Sequence, residues 1–172
     1  AAMIFMSAER AKDLPHKGAY LLGAAQGSEH RCAAPAHNGP TYGSSSFTTV
    51  APRLWANAGC GPKDVDVVQS YENFTGGVLM SLVEHDLLAA EECNEFLKLE
   101  NLVAPTGKMP LNTSGGNLAE CYMHGLELPI EAVRQLRGTS TAQVPKVDVS
   151  LVCSGPMVTP VSSSVFGSEA TL

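Results

Sequence analysis

The sequence predicts a layered α/β domain with a largely parallel sheet between helices. Two observations carry this. Short apolar runs rich in β-branched residues alternate along the chain with stretches whose apolar residues recur at helical spacing. The chain then closes on two apolar runs, Val147 to Cys153 and Val161 to Phe166, placed either side of a Ser154-Gly155-Pro156 turn, as two neighbouring strands would be.

In order, Met3 to Met6 reads as a short strand, and Ser7 as the N-cap of a brief helix through Ala8, Arg10, Ala11 and Leu14 that Pro15 stops. Ala19 to Ala25 is too short for an amphipathic helix and lies between Gly18 and Gly27, which favours a buried strand. From Gln26 to Ser46 the composition turns to Gly, Ser, Pro, His and Asn, a long loop. Phe47 to Ala58 carries Phe47, Val50, Ala51, Leu54, Trp55 and Ala58 on one helical face, with Trp55 in the core and Gly59 as the stop. Val65 to Ser70 reads as a strand. Gly77 to Leu88 and Ala90 to Leu97 read as helices, and Asn101 to Leu111, with Pro105, Gly107 and Pro110, as irregular. Pro129 to Arg137 is a helix with Pro in its first turn, Ile130, Val133 and Leu136 on one side, and Gly138 at its end.

At 172 residues and 44% hydrophobic composition the chain supports one domain with a full core. A net charge of −6 without a dense Lys/Arg run argues against nucleic acid, and no apolar run reaches membrane-spanning length. The five cysteines, Cys32, Cys60, Cys93, Cys121 and Cys153, are odd in number and lack C-x-x-C or zinc spacing, which indicates free thiols in a reducing, cytoplasmic setting and no metal site. Because Ala1 to Met6 begins inside an apolar run with no lead-in, the chain is expected to be a fragment.

The densest chemistry lies in Met109 to Gly125. A turn-forming run, Asn112, Thr113, Ser114, Gly115, Gly116, stands directly before Cys121, Tyr122 and His124. Paired glycines permit positive φ and close backbone approach, so this loop can present amide N–H groups to a ligand; the plain alternative is a surface turn ahead of a helix.

Four blocks, VDVVQSYENFTGGVLMSLVEH at Val65 to His85, PLNTSGGNLAECYMHG at Pro110 to Gly125, EAVRQLRG at Glu131 to Gly138 and VCSGP at Val152 to Pro156, resemble the C-terminal half of the thiolase superfamily, most closely its lipid-transfer-protein branch. Some members of that branch are acyl-CoA retro-aldolases of steroid side-chain degradation. The resemblance implies a thiolase-like layered fold, with residues 1–17 as the last strand and helix of the N-terminal half and residues 18–172 as the C-terminal domain, its sheet mixed to parallel.

The chain departs from the thiolase pattern at two places. Tyr71 stands where thiolases carry the Asn of an Asn-Glu-x-Phe motif, and Cys121, Tyr122 and Met123 stand where they carry Gly-His-Pro. The catalytic His is gone, and the nucleophilic Cys belongs to the other half. The resemblance therefore points to Tyr71 and Tyr122 as a catalytic pair for retro-aldol cleavage of a β-hydroxyacyl-CoA into a ketone and a short acyl-CoA, with Tyr71 as base and Tyr122 as acid, an assignment that can be reversed. A phenol of pKa near 10 needs a perturbing environment for such work. The loop of Asn112, Ser114, Gly115 and Gly116 supplies turn geometry and candidate oxyanion donors. His124, Cys121 and Cys153 are candidate supporting groups: Cys153 occupies the place of a thiolase acid/base Cys, yet equally reads as a small buried residue at a strand end. Glu72 and Glu120 read as solvated acids.

By resemblance no cofactor is implied beyond acyl-CoA as substrate. Implied partners are the thiolase N-terminal half, in cis or in trans, a second copy forming a homodimer, and a protein with an OB-fold and zinc ribbon. Two other functions compete: a non-catalytic acyl-CoA- or lipid-binding subunit, and a thiolase-type acyltransferase whose nucleophilic Cys lies on another segment.

Overall fold

The strands alternate apolar side chains to both faces, and both faces are covered. In the computed structural model, which describes residues 1–29 and 43–172, four strands form one sheet: β1 (Tyr20–Gly27), β2 (Val67–Ser70), β3 (Val149–Ser154) and β4 (Val161–Gly167), in the order β1-β4-β3-β2. Val68, Leu151, Cys153 and Val165 point to one face, where they meet Phe47, Val50 and Leu54 of the segment containing α2 (Ala51–Ala58) and Leu82 of α3 (Thr75–Glu84). Val67, Val152 and Phe166 point to the other, against Leu128, Ala132 and Leu136 of α7 (Glu127–Arg137). A strand buried on both sides reads as a continuous apolar run, which is how the β2 and β3 sequences read.

The sheet is mixed. β2 and β3 pair in parallel through the long helical crossover between them, whereas β3 and β4, joined by the short Gly155 to Pro160 connection, pair antiparallel, as β1 and β4 do. A short connection can only return the chain antiparallel, so the turn at Ser154-Gly155-Pro156 sets this pairing.

α2 ends at Gly59 and α7 at Gly138, both in the left-handed region, as the sequence indicates. Trp55 is half-buried and packs against the first core cluster. Three expectations differ. Met3 to Met6 is not a strand: no described segment pairs with it, and Ile4 and Phe5 are 84% and 67% exposed, so it lacks the half-buried pleated surface that β-branched and apolar residues need. The helix expected to Leu88 stops at Glu84, because His85 turns into the core and Asp86 takes a positive φ. The region from Ala90 to Leu111 contains two one-turn helices, α4 (Cys93–Phe96) and α5 (Leu99–Leu102), in place of one longer helix and an irregular stretch. Single turns also form at α1 (Ala8–Ala11) and at α6 (Gly116–Ala119). The central part of the expected loop over Gln26 to Ser46, residues 30–42 with Cys32, lies outside the described residues.

His85 is wholly buried between the sheet and the rings of Phe47 and Trp55, at centroid distances of 4.8 and 6.1 Å. Its Nδ1–H donates to the Ser81 carbonyl at 2.7 Å, and its Nε2 accepts from Ser163 Oγ at 2.9 Å, so both ring nitrogens are satisfied in the neutral form. Burial drives its pKa from 6.5 down to about 4. The native state thus binds fewer protons than the unfolded chain across this window. The stabilisation is complete above 6.5 and is lost as pH falls toward 4, a change of about 3 kcal/mol. Urea unfolding measured across that range is expected to show this slope in the native protein and a shallower one in His85→Gln, the carboxylate contribution being common to both.

Candidate active site

The end of β2 and the glycine loop are joined through one carboxylate. Glu72, two residues past the strand, accepts from the backbone N–H of Asn117, from Asn117 Nδ2 at 2.9 Å and from Asn112 Nδ2 at 3.3 Å. Gly115 and Gly116 have φ of 90° and 63°, and a Cβ on Gly116 would stand 2.5 Å from Glu72 Oε1. The paired glycines therefore serve both a left-handed turn and the close approach of this carboxylate. Asn112, itself at φ 48°, extends the contact: its Oδ1 accepts from Ser70 N at 2.7 Å and its Nδ2 donates to Ser70 O at 2.9 Å, much as a neighbouring strand would.

This tether carries Tyr122 to Tyr71. Their hydroxyls lie 2.6 Å apart, from positions 51 residues distant in sequence. Tyr71 is half-buried and Tyr122 is 58% exposed. Gly125, at φ 90°, leaves room for the Tyr71 ring, since a Cβ there would lie 2.8 Å from Tyr71 Cδ2. His124, also at positive φ, sets its ring 5.7 Å from that of Tyr122 and 6.3 Å from that of Tyr71, tilted by about 30° to each. Beneath them Glu127, fully buried, accepts from the N–H groups of Met123 at 3.1 Å and Gly125 at 3.3 Å, which fixes the backbone on both sides of His124. Glu120 pairs with Arg134 of α7 at 2.5 Å and anchors the other flank of Tyr122.

The hydrogen bond to Tyr122 is the largest influence on Tyr71. Together with burial and the negative charges of Glu127 and Glu72, it pushes the Tyr71 phenol up to about 12. Either hydroxyl can be the donor of this hydrogen bond.

The other residues singled out in the sequence are dispersed. The amide of Gly115 donates to the Asn112 carbonyl at 2.8 Å and that of Asn117 to Glu72, so both are spent inside the loop. Ser114 Oγ is buried and without a partner among the described residues. Cys121 is exposed. The Cys153 carbonyl accepts from Tyr71 N at 2.9 Å, but its thiol lies on the opposite face of the sheet, fully buried, 3.8 Å from His85 Nδ1. Burial pushes that thiol up to about 12, against the weaker opposing effect of Ser163 and Ser81, so it stays protonated. Glu72, Asn117 and Glu127 were not distinguishable as site residues in the sequence. For Glu127 the signal was an acid in the first turn of a helix, two residues before a proline.

The profile of the family described as "Thiolase C-terminal domain-like" matches residues 25–168. The chain belongs to the thiolase superfamily. This thiolase-superfamily domain is 38% identical over 98% of its length to a "Steroid side-chain-cleaving aldolase" of Thermomonospora curvata. It is 34% identical over 96% of its length to a "17-hydroxy-3-oxo-4-pregnene-20-carboxyl-CoA lyase" of Mycobacterium tuberculosis. In each case it spans 43% of the relative. Among solved structures, an "Ltp2-ChsH2(DUF35) aldolase" superposes with a TM-score of 0.87 at 36% identity, covering 96% of this chain and 43% of that one. A monomeric SCP2-thiolase like protein type 1 from Mycobacterium smegmatis, at TM-score 0.57 and 21% identity over 88% of this chain and 29% of its own, shares the fold. That last protein corrects the expected partners: the fold occurs in a monomer, so the homodimer inferred from family resemblance does not follow from it. Among the described residues no helix is long and apolar enough to cross a membrane.

Replacing Glu72 by Gln removes the negative acceptor for three donors. The variant is expected to lose about 1–3 kcal/mol of stability in chemical unfolding and to show faster amide exchange over residues 116–122, while α2 exchanges as in the native protein.

Proposed function

We propose that this domain carries the acid–base pair of an acyl-CoA retro-aldolase that cleaves a β-hydroxyacyl-CoA into a ketone and a shorter acyl-CoA. The observation that carries the reading is the 2.6 Å contact between the hydroxyls of Tyr71 and Tyr122. The names of the relatives, an aldolase and a CoA lyase acting on steroid side chains, support the same chemistry and a steroid-like substrate.

Either hydroxyl can be the donor of the shared hydrogen bond, so the geometry is compatible with either tyrosine as base. With Tyr71 as the donor of the shared hydrogen bond, Tyr122 Oη acts as the base and, in its deprotonated form, takes the proton of the β-hydroxyl; the same steps balance with the two tyrosines exchanged. The electron pair of that O–H bond becomes the second bond of the new ketone, the Cα–Cβ bond breaks, and its electrons pass to the thioester as an enolate. Tyr71 then gives its proton to Cα. Tyr122 is left as phenol and Tyr71 as phenolate, and one proton transfer across their shared hydrogen bond restores the starting state. Glu72 and Glu127 hold the two tyrosine-bearing segments in place and disfavour a second negative charge on Tyr71. The protonated, inaccessible thiol of Cys153 argues against the acyltransferase alternative, in which a thiolase-type Cys would exchange protons with substrate.

In the whole protein, Tyr71→Phe and Tyr122→Phe are each expected to lower kcat at least about 100-fold, with KM little changed. Undiminished cleavage in both variants would remove the tyrosine pair from the chemistry.

A further inference from the structure

The steps above leave the enolate without a partner. When the Cα–Cβ bond breaks, its electrons collect on the thioester oxygen, and a site that lowers this barrier places a hydrogen-bond donor at that atom. The glycine loop spends its donors internally: the amide of Gly115 goes to the Asn112 carbonyl and that of Asn117 to Glu72, while the side-chain amides of Asn112 and Asn117 bond Ser70 and Glu72. Next to Tyr71, the Asn73 amide is taken by the Pro156 carbonyl at 2.9 Å. Next to Tyr122, the N–H groups of Met123 and Gly125 go to Glu127, and Arg134 goes to Glu120. Thr75 and Gly76 line a separate cavity with Glu72, to which Tyr71, Tyr122 and His124 do not contribute.

The imidazole of His124 differs from all of these. Its ring centre lies 5.7 Å from that of Tyr122 and 6.3 Å from that of Tyr71, the side chain is exposed, and neither ring nitrogen has a hydrogen-bond partner among the described residues. Even neutral, the ring carries one N–H. Its backbone is held at φ 57°, a region that a residue other than glycine keeps only with support from its surroundings. That support is the Glu127 carboxylate, which takes the N–H on either side of it. The fold thus commits a fully buried acid to placing this one exposed side chain beside the phenols.

The connectivity of a β-hydroxyacyl thioester sets where its atoms fall. The β-hydroxyl oxygen and Cα are two bonds apart, a span comparable with the 2.6 Å between the phenol oxygens, so the pair can serve both at once. The thioester oxygen is two bonds further on from Cα and projects a similar distance past the pair, where the ring that stands beside both phenols is that of His124. This holds whichever tyrosine is the base.

We propose that His124 is a catalytic residue of the retro-aldol reaction, donating a ring N–H to the thioester oxygen as it becomes the enolate oxygen. The hydrogen stays on the imidazole throughout, so the proton balance between the two phenols is unchanged. The assignment deepens the aldolase reading and rests on it.

The test is the carbonyl stretch of propionyl-CoA carrying carbon-13 at the thioester carbon, recorded by isotope-edited infrared difference spectroscopy on the whole protein. This probe has no β-hydroxyl and is not cleaved. The native protein is expected to hold the carbonyl at a lower frequency than His124→Phe, which keeps a flat ring without a donor, and His124→Gln, which restores a donor N–H, is expected to lie between them. Turnover is expected to follow the same order, with kcat lowered at least about 100-fold in His124→Phe, KM little changed, and part of the loss recovered in His124→Gln. Tyr71→Phe and Tyr122→Phe are expected to leave the frequency where it is in the native protein. The same frequency in native protein and His124→Phe, native kcat in His124→Phe, or loss of the shift in a tyrosine variant would each overturn the assignment. No carbon–carbon bond breaks in the infrared experiment, so it reads His124 even if the Phe variants of the tyrosines turn over undiminished, and native turnover in His124→Phe leaves the tyrosine chemistry standing.

Discussion

The Glu72 carboxylate is the constraint on which the site depends. It follows the last residues of a strand buried on both faces, so its position is set by the sheet, and its three donors lie on Asn112, which also bonds Ser70 of β2, and on Asn117 of the one-turn helix α6. Charge-assisted hydrogen bonds to backbone and amide groups are among the stronger polar contacts available to a folded chain. Here they transfer the rigidity of the sheet to the segment that ends in Tyr122. Two glycines at positive φ make room for the carboxylate, and the buried Glu127 secures the loop from below. The tyrosine contact is the result of these restraints, since an exposed phenol on an untethered loop would have no reason to keep one partner.

The same sheet separates two kinds of buried polarity. On the α7 face, Gln69, Thr113, Glu131 and Gln135 form a connected network beneath the glycine loop. On the other face, His85, Ser81, Ser163 and Cys153 cluster within an apolar core. The first network ties Gln69 of β2 to α7, and the second ties α3 to β4 through the neutral His85. The thiolase-like Cys position thus belongs to packing in this chain, and the proposed proton chemistry lies with the phenols on the other side of the sheet.

Much of the fold was legible in the sequence because two-sided burial leaves a simple trace: Val67-Val68 and Leu151-Val152-Cys153 are apolar at every position, and Gly59 and Gly138 mark helix ends. The pairing of Tyr71 with Tyr122 was legible only through family resemblance, since no local pattern links residues 51 positions apart. What held them was not legible. Glu72 lies beside exposed and half-buried neighbours and reads as a solvated acid, and its role appears only when a loop 45 residues away folds back onto it. Nothing in the sequence around His85, between two acids, marks it as buried, and Met3 to Met6 reads as a strand because composition reports propensity and not the presence of a partner.

The account turns on the two phenols sharing one proton, and fluorine NMR of fluorotyrosine placed at positions 71 and 122 reports this most directly. The account predicts coupled titrations: each resonance moves in two steps, and replacing Tyr122 by Phe brings the Tyr71 analogue down toward the pKa of the free fluorophenol. Two independent single-step curves, with position 71 indifferent to the residue at 122, would contradict it.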